Sequence, residues 1–257
     1  MTLPLVNQFL MPYEVWSTRP ATQADILARL STGQHISSCN KSVQVKLLDT
    51  IDTPDKAAIY IADGKYDVQI SNRITKSLED IKSGYRQARS SMPGVTPKVL
   101  SEYQRRYGSS TNFNLVNNSI KIDGDYLADD QVLFHGGGIL NNINPGNSLI
   151  TLRPLSTSFC PVKSINNGAW RGKYYNEGEA NLIILTVKSI KKLAFIYKMN
   201  GTDKGHEKEV LIESGALISV ISKAKIRDDY EVSVAGAHAG QVLTKKVPFH
   251  IIKATIS

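Results

Sequence analysis

Between residues 70 and 85 the apolar side chains Ile70, Ile74, Leu78, Ile81 and Tyr85 recur at spacings of four, four, three and four. That period places them on one face of an α-helix, and Met92-Pro93-Gly94 marks its end. A second helix is predicted from Pro97 to Tyr107, with Val99, Leu100, Tyr103 and Tyr107 on one face and Gly108 as its stop. Thr53-Pro54 and Thr96-Pro97 each set a capping hydroxyl before a proline suited to the first helical position. Thr22 with Asp25 forms a capping-box variant ahead of Ile26, Leu27 and Leu30, so a short helix is predicted there too. Val43, Val45 and Leu47 alternate with polar residues, the period of a strand.

From residue 118 onward the pattern changes. Residues 132–134, 149–152, 182–187, 193–197, 210–212, 217–221 and 247–252 are short apolar or β-branched runs separated by Gly, Asn, Pro and Asp clusters. Helices first and strands afterwards predict an α+β fold instead of alternating βαβ units. Residues 136–148 read as an Asn/Gly-rich loop, and residues 1–39 as a loosely attached N-terminal extension. The remainder, 40–257, is read as one domain, with helices over 54–108 and a strand core over 115–257.

Composition narrows the class. A hydrophobic share of 41% indicates a globular chain, and no run of eighteen apolar residues exists to cross a membrane. Met1 to Trp16 has no basic segment ahead of its apolar residues, so no cleavable secretory signal is expected. Cys39 and Cys160 are far apart with no histidines at ligand spacing, which predicts neither a disulfide framework nor a metal site. The net charge of +8 is spread along the chain without an aromatic-interleaved basic block. It points to general solubility with some attraction for a phosphate-bearing ligand, more than to nucleic acid.

The chemistry concentrates in three places. Leu133-Phe134-His135 is an apolar strand ending in histidine and running into Gly136-Gly137-Gly138. That glycine run lacks the Gly-Lys-Ser/Thr of a nucleotide P-loop. Leu155-Ser156-Thr157-Ser158-Phe159 begins its serines twenty-one residues after His135. Glu207-Lys208-Glu209 opens the apolar run Val210-Leu211-Ile212. In a strand the two glutamates share a face, roughly 7 Å apart.

In this order the three motifs resemble the mono-ADP-ribosyltransferase family, specifically its toxin-like branch marked by an arginine, a Ser-Thr-Ser and a Glu-x-Glu. The resemblance covers roughly residues 115–255. One position departs from it: the branch has arginine where this chain has His135. Histidine there is similar to the diphtheria-toxin and poly-ADP-ribose polymerase branch, which has paired tyrosines in place of Ser-Thr-Ser.

The resemblance implies a helical N-terminal part followed by a β-sandwich-like ADP-ribosyltransferase core that takes NAD+ as co-substrate and needs no metal. It also implies a soluble bacterial or phage toxin or effector that is secreted or translocated into a target cell. Departure of nicotinamide leaves an oxocarbenium-like ribosyl cation, as in glycoside cleavage. Glu209 is expected to hold the ribose hydroxyl and steady that cation, with Ser156 orienting its carboxylate. Glu207 is expected to meet an arginine of a target protein, because a carboxylate pairs with a guanidinium and helps take its proton. Residues 199–206 would be the recognition loop, and His206 is expected to be a solvated member of it. His135 and Gly136, with Ser156, Thr157 and Ser158, are expected around the nicotinamide end. Arg153, Arg171 and Lys173 are candidates for the phosphates, and Tyr174 or Tyr175 for stacking. An NAD glycohydrolase and a non-catalytic binding module are the alternatives, and nucleic acid is the less favoured acceptor.

Overall fold

The computed structural model describes residues 2–35, 42–64, 68–106, 108, 111–200, 204–238 and 240–257. Cys39, Tyr107 and residues 201–203 of the expected recognition loop lie outside the described residues. Strand β1 (Tyr13–Arg19) leads through helix α1 (Gln23–Ser31) to β2 (Val43–Ile51), and the two strands pair antiparallel as a separate sheet. The predicted box at Thr22 is formed: Asp25 N donates to Thr22 Oγ1, and Thr22 N donates to Asp25 Oδ2. Helix α2 (Pro54–Ala62) starts at Thr53, whose hydroxyl accepts from Lys56 N.

The single helix predicted over 70–85 is two. Helix α3 (Val68–Glu79) stops at Asp80, whose carboxylate accepts from Lys82 N, and α4 (Tyr85–Ser90) restarts after Gly84. Gly84 sits at φ 81°, and a Cβ there would lie 2.4 Å from the Leu5 carbonyl oxygen, so the chain turns where only glycine fits. Ile81, counted on the apolar stripe, is left exposed. Helix α5 (Lys98–Arg106) follows, then α6 (Phe113–Asp123), which the strand reading of this region missed. Asn112 caps α6 by accepting from Asn114 N and Leu115 N.

The strands β3 (Val132–Gly136), β4 (Ser148–Ile150), β5 (Leu155–Ser158), β6 (Ala180–Val187), β7 (Ala194–Ile196), β8 (Glu209–Ile212), β9 (Leu217–Ala235) and β10 (Val242–Ile256) form one eight-stranded sheet. Their order is β4-β9-β10-β6-β3-β5-β8-β7, with only β10 and β6 parallel. The protein is therefore α+β, helices preceding a mixed sheet, as the pattern predicted. Two helices within the strand region were not foreseen: α7 (Pro161–Ala169) and α8 (Lys173–Glu177). Sequence runs for β9 and β10 covered only their apolar portions, because cross-strand pairing carries polar residues such as Lys225 and Lys245 into the ladder. Conversely, the run at 149–152 overshoots: β4 ends at Ile150 and Leu152 is 89% exposed.

Strands β3, β5 and β8 lie side by side, yet β3 touches β5 through a single pair, Phe134 with Ser158. The three motifs of the sequence are thereby brought to adjacent strands. Around them the core takes in Leu3 and Val6 from the N-terminal stretch. Leu3 N donates to the Tyr126 carbonyl and Val6 N to Gln131 Oε1.

Candidate functional site

Glu209 opens β8 and is 5% exposed. Ser156 on β5 stands opposite Leu211, two residues from Glu209 and on the same face. That diagonal lets Ser156 Oγ donate to Glu209 Oε1 at 2.5 Å. The other oxygen, Oε2, accepts from Gln104 Nε2 at 2.7 Å. Burial pushes the Glu209 carboxyl up to about 7, and the Glu207 charge adds to this. The hydrogen bonds from Ser156 and Gln104, and the Lys204 charge, pull the other way without cancelling it.

Glu207 is not on the strand. It ends a 3-10 turn, Gly205–Glu207, and Lys208 follows in the left-handed region at φ 51°. The alternation expected along Glu207-Lys208-Glu209 fails at that residue. Lys208 instead turns inward, 4% exposed, with Nζ donating to Ser71 Oγ and the His206 carbonyl, both at 3.3 Å. Burial pulls its ammonium below the usual lysine range. The Glu207 carboxylate is still close enough to act on Glu209, and it takes an ion pair from Lys204 Nζ at 2.8 Å. His206 lies in the same turn.

The other two hydroxyls of the Ser-Thr-Ser hold backbone. Ser158 Oγ donates to the Glu207 carbonyl at 2.6 Å and accepts from Cys160 N. Thr157 Oγ1 donates to the Val210 carbonyl at 2.7 Å from the opposite face. Ser158 thus ties the Glu207 turn to β5, and Thr157 fixes the register of β8 beneath Glu209.

His135, at the end of β3, places Nδ1 2.7 Å from the Ser156 carbonyl. A carbonyl only accepts, so Nδ1 carries the proton. Burial lowers the imidazole pKa, Lys173 lowers it further, and Ser156 opposes both. In the neutral ring this leaves Nε2 as an acceptor. Gly136 is required by packing: a Cβ would meet the Ser164 carbonyl of α7 at 1.9 Å.

Arg153, Arg171 and Lys173 form an exposed basic group near this end. Lys173 is lowered by burial first and then by the positive charges of Arg153 and Arg171, so the three share one neighbourhood. Tyr174 is not a stacking surface. It is 1% exposed, with its hydroxyl donating to the Asn181 carbonyl at 2.7 Å against Gly136 and Gly168. Tyr175 lies with Lys245 Nζ 4.6 Å over its ring.

Gln104 was missed by sequence reading. It sits on the polar side of a helix 105 residues before its partner, and no local pattern marks such a contact. A surface depression of about 640 Å³ beside Thr2, Tyr126 and Ser189 includes none of these residues. Among the described residues no group of three or more His, Cys, Asp or Glu is placed to hold a metal ion. None of the helices described is long and apolar enough to cross a membrane.

No protein-family model matches the chain, and no curated protein matches it. Among solved structures it is similar to Vis toxin, an ADP-ribosyltransferase from Vibrio splendidus, at 12% identity and a TM-score of 0.41, covering 75% of this chain and 87% of that one. It is similar to the enzymatic component C2-I of the C2 toxin from Clostridium botulinum at 10% identity and a TM-score of 0.38, covering 66% of this chain and 45% of that one. For the ADP-ribosylating toxin BECa of C. perfringens, solved with NADH, the values are 13% and 0.43, with coverage of 75% and 49%. The chain spans about half the length of C2-I and of BECa.

Proposed function

We propose that this protein is an NAD-dependent mono-ADP-ribosyltransferase, a toxin or effector that modifies arginine on a target protein. The observation carrying the reading is the buried Glu209 carboxylate held by Ser156 across β5 and β8. A fixed negative charge in a site of low polarity suits a developing ribosyl cation. The donor set fits a dinucleotide: Arg153, Arg171 and Lys173 gather positive charge for a diphosphate. His135 Nε2 offers an acceptor beside them. Glu207, beside Glu209 at the turn, is assigned to the incoming guanidinium.

One observation favours a second reading, an NAD glycohydrolase. Lys204 already occupies Glu207, so water meets less competition from an acceptor. Incubating the protein with labelled NAD and a cell lysate separates the two. Labelled protein bands that survive nuclease treatment support transfer to protein, and nuclease-sensitive label indicates nucleic acid. Free ADP-ribose alone supports hydrolysis, and intact NAD ends both readings. Glu207→Ala is expected to abolish transfer and spare hydrolysis. Loss of neither activity would remove Glu207 from the acceptor role.

A further inference from the structure

We infer that Gln104 is a positioning residue for Glu209, so that helix α5 of the helical part completes a site otherwise built on the sheet. This rests on the reading of Glu209 given above. Gln104 Nε2 donates to Oε2 at 2.7 Å while Ser156 Oγ holds Oε1, so both oxygens of one buried carboxylate are tied by groups 52 residues apart in sequence. Two further bonds keep α5 at that distance. Tyr103 Oη donates to the Pro154 carbonyl at 3.1 Å, and Tyr197 Oη donates to the Leu100 carbonyl at 2.9 Å. Leu100 and Tyr103 are buried, so the helix is anchored through the turn that leads into Gln104.

The chemistry follows from what an ionised carboxylate accepts. A donor on each oxygen fixes the plane of the group and favours its charged form against burial. Other charges and phenols face the same carboxyl group: Glu207 and Lys204 from the turn, Tyr197 from the end of β7, and Tyr103 from α5. Glu207 opposes ionisation and Lys204 favours it. Burial pushes the Tyr103 phenol up to about 12 and pushes Tyr197 well above the usual range. Gln104, like Ser156, is neutral, so its loss removes a donor without changing the local charge.

Gln104→Met keeps length and removes the donor. Its expected effect is a fall of about tenfold to a hundredfold in NAD cleavage near neutral pH, the worth of a hydrogen bond to a charged group. The rising limb of the pH profile is expected to move up by about one unit. An unmoved or lowered limb, in a variant with the wild-type circular dichroism spectrum, overturns the inference. Titration of the Glu209 carboxyl carbon by NMR, without NAD, reads the same displacement independently of turnover. A displaced titration in a protein that never cleaves NAD sinks the functional reading and leaves Gln104 in place. An undisplaced titration removes Gln104 whatever the activity.

Discussion

Glu209 carries a proton affinity that the unfolded chain does not share. Its folded carboxyl group titrates at about 7 because burial outweighs the two hydrogen bonds it accepts. The folded protein therefore binds that proton more tightly than the unfolded one between the ordinary carboxyl range and about 7. The associated stability is present at low pH and is lost as pH rises through that window. At about 1.4 kcal/mol per unit the loss is on the order of a few kcal/mol. Glu209→Gln is accordingly expected to melt at a higher temperature than wild type at pH 8, with the gap closing towards pH 4.5. Calorimetric melts across that range check it, and a pH-independent gap contradicts the buried-charge account. On the proposed reading the same substitution is expected to cut NAD cleavage by ~10²–10³-fold. Stability and activity then oppose each other at one side chain.

At the scale of elements, close approaches decide where the site is. Helix α7 lies against the end of β3 because Gly136 has no side chain, and Tyr174 fills the space between Gly136 and Gly168. Gly136→Ala places a methyl group 1.9 Å from a carbonyl oxygen, an overlap that a backbone shift must relieve. The expected destabilisation is ~1–3 kcal/mol or more, read as a lower urea midpoint with an unchanged slope. A midpoint within error of wild type would show that α7 yields easily. Lys208 works in the opposite sense. Its left-handed backbone breaks the alternation of a strand, so the two glutamates reach each other from a turn and a strand instead of from one strand face.

Across the whole molecule, the helical part and the sheet share one core. Residues from the first ten positions pack into it, and Phe9 meets the Phe134 ring edge-on at 6.4 Å between centroids. Phe134 is also the single pairing point of β3 with β5, so the N-terminal stretch backs the junction that joins His135 to Ser156. Removing residues 1–11 deletes the buried Leu3 and Val6 and takes from the Gln131 side chain its two hydrogen bonds to the Val6 backbone. The expected loss is at least ~3 kcal/mol, comparable to a large-to-small core substitution. It is measured by denaturant unfolding of the shortened protein. Unfolding unchanged in midpoint would instead favour an N-terminal stretch that the domain does not need.

Local signals in the chain determined a good deal. The hydroxyls at Thr22 and Thr53, the apolar stripe through Ile70, Ile74 and Leu78, and the β-branched runs of β3, β6 and β8 each act within a few residues. Their elements therefore form where periodicity and capping place them. The pairing of Ser156 with Glu209 was legible as a likeness of motifs and acquired its geometry from the register of β5 on β8. Other features depended on groups far apart in sequence: the break at Gly84 against Leu5, the burial of Tyr174, the inward turn of Lys208 onto Ser71, and the reach of Gln104 to Glu209. A contact across a hundred residues leaves no periodic trace at either end, because sequence spacing reports neighbours along an element. Only packing of one element on another reports the rest.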